Sequence, residues 1–88
     1  MSGDDIMILG SVEKVAEDVC KGIVADPWIY MSDYRQHMML GIGTVRAGMS
    51  GGGVFDNSGR LIGILSGADL MGYLAIVPLS HIMAELQL

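Results

Sequence analysis

The chain has 88 residues, 51% hydrophobic and 17% charged, with a net charge of -5, 13 glycines, 8 methionines and one cysteine. That length makes one small domain, which buries roughly 60–70% of its extended-chain surface, and the apolar content excludes a disordered chain. Cys20 has no second cysteine to pair with, which excludes a disulfide scaffold and is compatible with a reducing, cytoplasmic setting.

The acidic balance argues against nucleic acid, whose phosphates call for clustered Lys and Arg. No stretch approaches the roughly 18 apolar residues of a membrane span, so no membrane partner is expected. Met1-Ser2-Gly3-Asp4-Asp5 lacks the basic start of a signal peptide, so no leader is expected. A mean hydropathy of +0.49 is high for so short a chain. It leaves more apolar surface than one small core hides, and the expectation is an oligomer, with copies of itself or with another chain.

In chain order, Asp5-Ile6-Met7-Ile8-Leu9 is a short apolar run closed by Gly10, and reads as a buried strand. Residues 11–21 fit two patterns. Val12, Val15, Ala16, Val19 and Cys20 recur at helical spacing between a capping Ser11 and a terminating Gly22. The β-branched residues of 19–25, ending at Asp26-Pro27, favour a strand closed by a turn. Trp28 to Tyr30 predicts a further short strand, and Met38 to Val45 another. Apolar runs on either side of Asp56-Asn57-Ser58-Gly59 predict a β-hairpin over 54–65. Tyr73 to Val77 reads as the last strand, broken by Pro78. Ser80 then caps a short helix with Ile82, Met83 and Leu86 on one face. Ten of the thirteen glycines fall between Gly41 and Gly72, where their cost of about 1 kcal/mol each in a helix interior opposes helix. The expected fold is all-β, a small antiparallel barrel with a short C-terminal helix.

The segment Gly48-Met49-Ser50-Gly51-Gly52-Gly53 carries the chemistry. It fits Gly-x-Ser-x-Gly, but the nucleophile elbow of α/β-hydrolases needs a helix after the serine, and here a hairpin follows. Gly41-x-Gly43 lacks the third glycine and the helix of a dinucleotide loop, and no lysine completes a P-loop. A serine on a tight glycine turn suits acyl transfer, because the turn can converge backbone N–H groups on one oxyanion.

The run from Gly48 to Ile64 resembles the nucleophile loop and following hairpin of trypsin/chymotrypsin-like serine peptidases, above all the HtrA-type members. The shared pattern is Gly-x-Ser-Gly-Gly, then a hydrophobic strand, then glycines at the positions of Gly59 and Gly63. Tyr73-Leu74-Ala75-Ile76-Val77-Pro78 and the helix after it resemble the same members' ending. Asp5 to Leu9 resembles the strand that carries the triad aspartate, and Asp26-Pro27 the Asn-Pro turn of HtrA-type enzymes.

That resemblance implies the C-terminal half of a trypsin-like double barrel, with residues 1–10 as a strand from the end of a missing N-terminal barrel and residues 11–88 as the C-terminal barrel. It implies Ser50 as nucleophile, Asp5 as the carboxylate orienting a histidine, and the N–H groups of Gly48 and Ser50 as the oxyanion hole. Ser66, Gly67 and Ala68 would pair with an extended polypeptide substrate, and Thr44 would stand at the base of the specificity pocket. The triad histidine precedes the aspartate in this family, and nothing in the chain supplies it there. His37 and His81 are the two candidates for a base. Gly53 replaces the family's proline.

Peptide-bond hydrolysis at Ser50 is therefore expected only when a histidine comes from another chain or a missing domain, with the isolated chain inactive. The alternative is a non-catalytic barrel serving assembly or peptide binding, in which Ser50 is a turn residue and Asp5 a solvated acid. No cofactor is implied. Cys20, His37 and His81 lack metal-ligand spacing, so no metal is expected. Met7, Met31, Met38, Met39, Met71 and Met83 are read as core and interface filler.

Overall fold

A computed structural model describes residues 3–11, 17–45 and 49–86. Six strands are followed by one helix: β1 (Asp5–Ser11), β2 (Glu17–Met31), β3 (Gln36–Gly43), β4 (Gly53–Asp56), β5 (Leu61–Ala68), β6 (Tyr73–Pro78) and α1 (Leu79–Leu86). The strands close into an antiparallel barrel in the order β1-β2-β3-β6-β5-β4. Closure removes the sheet edges that would otherwise leave backbone groups unpaired.

The core follows from strand alternation. Ile6 and Ile8 of β1 are 1% and 0% exposed, and Val24, Val54, Leu65, Leu74 and Ile76 meet them inside the barrel. Among the described residues no polar or charged side chain is buried. Residues 1–10 are expected as a strand resembling the end of a missing N-terminal barrel. β1 pairs with β2 through Asp5 to Ser11 and with β4 through Ile6 to Leu9, so it is the strand that closes this barrel.

The expected hairpin is β4–β5. Asp56 closes its turn, with Oδ1 accepting the N–H groups of Ser58 (2.9 Å) and Arg60 (3.0 Å), and Gly59 takes the left-handed conformation at φ 83°. The region from 17 to 31 differs from expectation. Helix is absent from Glu17 to Lys21, and Asp26-Pro27 does not end a strand. Instead β2 runs 15 residues and bends at an irregularity, where pairing shifts between Val24 and Asp26 and again before Ile29. Pro27, which has no N–H to give, is tolerated there because the ladder is already interrupted. The Asp26 carboxylate accepts the Trp28 N–H at 3.0 Å and holds the bend. Residues 12–16 of the alternative helix lie outside the described residues.

α1 packs on β5 and β6. Met83 is 46% exposed and Met71 81% exposed, so these two are not core filler, whereas Met38 and Met39 are buried.

Candidate active site

Ser50 and Gly51 form the exposed tip of a turn between β3 and β4. Gly51 has φ +92°, a conformation that L side chains rarely adopt. The Gly52 N–H donates to the Met49 carbonyl at 2.9 Å, closing the turn. Two further bonds tie it to β5: the Gly51 N–H donates to the Leu65 carbonyl (2.7 Å), and the Leu65 N–H to the Gly52 carbonyl (2.9 Å). A Cβ on Gly52 would run into the Leu9 carbonyl oxygen, so the turn lies directly against β1.

Met49, the residue before the serine, anchors the turn from inside. It is 1% exposed. Its Sδ lies 3.4 Å from Cys20 Sγ, and a Cβ on Gly10 would stand 3.2 Å from its Cε. The glycine at position 10 thus makes room for the methionine, and the methionine fixes where the serine emerges. Among the described residues the Ser50 hydroxyl has no hydrogen-bond partner. Gly48, the other expected oxyanion donor, lies outside the described residues.

The expected substrate-binding residues lie along one path from this turn. Ser66 follows Leu65, the residue bonded to the turn, at an irregularity in the β5–β6 pairing between Leu65 and Gly67. Ala68 and Thr44 line one small pocket of about 130 Å³ with Val45, Asp69, Leu70 and Gly72. Gly67 and Ala68 also line an open groove of about 510 Å³. The Tyr34 hydroxyl arches over Gly67, 2.7 Å from where a Cβ would sit, so glycine there keeps the tyrosine in place.

Asp5 is not part of this arrangement. The turn meets β1 at Leu9 and Gly10, so about 13 Å of strand separates it from Asp5 at ~3.3 Å per residue. Asp5 instead borders hollows shared with Lys21 and Asn57 and with Asp4 and Arg60. The two histidines also gather elsewhere. His81 Nε2 lies 2.6 Å from the His37 carbonyl oxygen. Trp28 stacks on His37 at 5.1 Å and 10°, and tilts against His81 at 5.1 Å, while Tyr30 meets His37 edge-on at 5.5 Å. His37 is six residues before Gly43, about 20 Å of strand from where the chain enters the Thr44 pocket. The arrangement therefore combines an exposed serine, a strand and a pocket, and among the described residues no side chain hydrogen-bonds to the Ser50 hydroxyl.

Elsewhere, the backbone N–H of Arg60 at the Asp56 carboxylate, then that of Ser58 and the Arg60 charge, hold Asp56 below the ordinary carboxylate range. This acts on the hairpin turn and not on the serine. Among the described residues no three His, Cys, Asp or Glu side chains are grouped to hold a metal, and no helix is long and apolar enough to cross a membrane.

The sequence matches no family model and no curated protein. Its structure is similar to the HtrA-type protease AlgW, as a serine-to-alanine variant with a decapeptide (TM-score 0.84, 21% identity, 99% of this chain and 29% of that one). It is also similar to an inactive serine-to-alanine mutant of Rv3671c from M. tuberculosis (0.80, 16%, 99% and 47%). Deg5 gives 0.76 at 15% identity, over 96% of this chain and 41% of that one. The chain thus spans less than half the length of each. The likeness shows the fold: this is a trypsin-like β-barrel of the kind HtrA-type serine proteases contain.

Proposed function

We propose that this barrel is the C-terminal half of a trypsin-like serine endopeptidase, with Ser50 at the nucleophile position and hydrolysis dependent on a histidine supplied by another chain or domain. The observation that carries the reading is the exposed Ser50 turn, bonded through Gly51 and Gly52 to Leu65 and leading along Ser66–Ala68 to the Thr44 pocket. An extended polypeptide paired with Ser66–Ala68 would bring a carbonyl to Ser50 and a side chain to Thr44. The N–H groups of Ser50 and Gly48 would take the oxyanion as Ser50 Oγ attacks. A serine hydroxyl is a weak nucleophile without a base. The histidine, with the carboxylate that orients it, must then arrive from outside these residues, which makes an oligomer or a second barrel the working form.

The second reading is a non-catalytic peptide-binding or assembly barrel. The engagement of both histidines with Trp28 favours it. The peptidase reading and the peptide-binding form of the second both require polypeptide on β5. Titrating an isotopically labelled chain with an extended decapeptide should shift the amide signals of Gly51, Ser66, Gly67 and Ala68 first. Shifts confined to other strands would refute both.

A further inference from the structure

The groove of about 510 Å³ beside β5 has a composition that selects its occupant. Outward-facing Leu40 and Ala75, paired across β3 and β6, give it an apolar floor. Tyr34 covers one end above Gly67. Asp33, on the β2–β3 turn, and Asp69, just past β5, both line it, and among the described residues no cationic side chain does. Among the described residues the Asp33 carboxylate has no partner. Asp69 Oδ1 accepts the Met71 N–H (2.9 Å) and the Tyr73 N–H (3.0 Å), and among the described residues Oδ2 takes part in no hydrogen bond.

We propose that this groove is a subsite for an arginine or lysine side chain of the polypeptide held on Ser66–Ala68. It rests on the proposed peptide cleft and adds a selectivity to it. Arginine and lysine have aliphatic stems that lie well on an apolar floor while their heads seek anions. Here the stem covers Leu40 and Ala75, and the head reaches between Asp33 and Asp69 with the Tyr34 ring at hand for a cation–π contact. A neutral apolar side chain would fill the floor and leave both carboxylates unpaired. An acidic one would meet two like charges.

The experiment uses Ser50→Ala protein and three fluorescein-labelled peptides, Gly-Ser-Ala-Val-X-Ala-Val-Ser-Gly, with X as arginine, citrulline or glutamate. Citrulline keeps the shape of arginine and removes its charge. Anisotropy at low salt should give the arginine peptide the tightest binding, by roughly twofold to fivefold per carboxylate over citrulline, with glutamate weakest. High salt should narrow the gap. Asp33→Asn/Asp69→Asn should abolish the preference without unfolding the turn, because the asparagine Oδ1 can accept the same two N–H groups. Equal binding of arginine and citrulline, or a preference that survives the double variant, overturns the subsite and leaves the cleft standing. Failure of all three peptides to bind overturns the cleft as well.

Discussion

Replacing Met49 by alanine removes the side chain that seats the serine turn in the barrel. Met49 is 1% exposed and belongs to the central cluster with Ile8, Val54 and Leu65. Truncating a buried methionine to alanine costs about 2–5 kcal/mol, more where the surroundings cannot collapse into the space. Collapse is poor here, because one wall is the bare backbone of Gly10 in a paired strand. A cost of about 3 kcal/mol lowers Tm by roughly 12–24 °C in a domain of this size. It is also a large fraction of the ~4–13 kcal/mol that such a chain holds in total.

The same geometry predicts a coupling. Gly10→Ala alone places a methyl 3.2 Å from Met49 Cε and 3.3 Å from Cγ, an overpacking worth about 1–3 kcal/mol. In the Met49→Ala background that methyl keeps only an ordinary van der Waals contact with the Cβ of residue 49 at 3.5 Å and should be neutral or stabilising. Urea unfolding followed by far-UV circular dichroism and by fluorescence of Trp28, the only tryptophan, gives all four corners of the cycle. A Met49→Ala cost below about 1 kcal/mol would refute the anchor. So would a Gly10→Ala effect of the same size and sign in both backgrounds.

Other expectations follow from single contacts. Gly52→Ala should destabilise more than Gly51→Ser, because a Cβ at 52 collides with the backbone oxygen of Leu9 whereas the one at 51 meets open space and strains only its φ; urea midpoints rank the two. Asp56 has its folded pKa lowered, so its stabilisation is present above the ordinary carboxylate value of 3.8 and is lost as pH falls through the folded value. Asp56→Asn should therefore flatten the acid limb of the stability profile below that pH. An unchanged limb would remove the role assigned to the turn carboxylate.

The parts of the molecule legible in the sequence were those set by local chemistry. The β4–β5 hairpin follows from Asp56-Asn57-Ser58-Gly59 between two apolar runs, and the Ser50 turn follows from its glycines. The hairpin turn is fixed by neighbours a few residues away, whereas the Ser50 turn also takes its place from Leu65 and Leu9. β2 departs from its local signal because Asp26-Pro27 is ordinary turn chemistry, and the partner strand β3 keeps the chain extended through the bend. A strand of the pattern Asp-Ile-Met-Ile-Leu reads the same in either barrel. Which one it joins is decided by its register, Asp5 against Ile23 and Ile6 against Asp56, and that is a long-range fact. Tyr34 over Gly67 had no signal beyond a polar turn. Met49 had one: a large apolar residue in the middle of a glycine loop has to go somewhere, and the core is where it goes.

The most direct test of the central claim is fluorophosphonate labelling of Ser50 with and without added imidazole, read by intact mass, with Ser50→Ala as control. A turn that presents a nucleophile but lacks its base predicts no labelling of the isolated chain, and labelling that rises with imidazole and vanishes in the control. Labelling that needs no imidazole would place a base within the chain and contradict the account. Silence at every imidazole concentration would mean that Ser50 is a turn residue and nothing more.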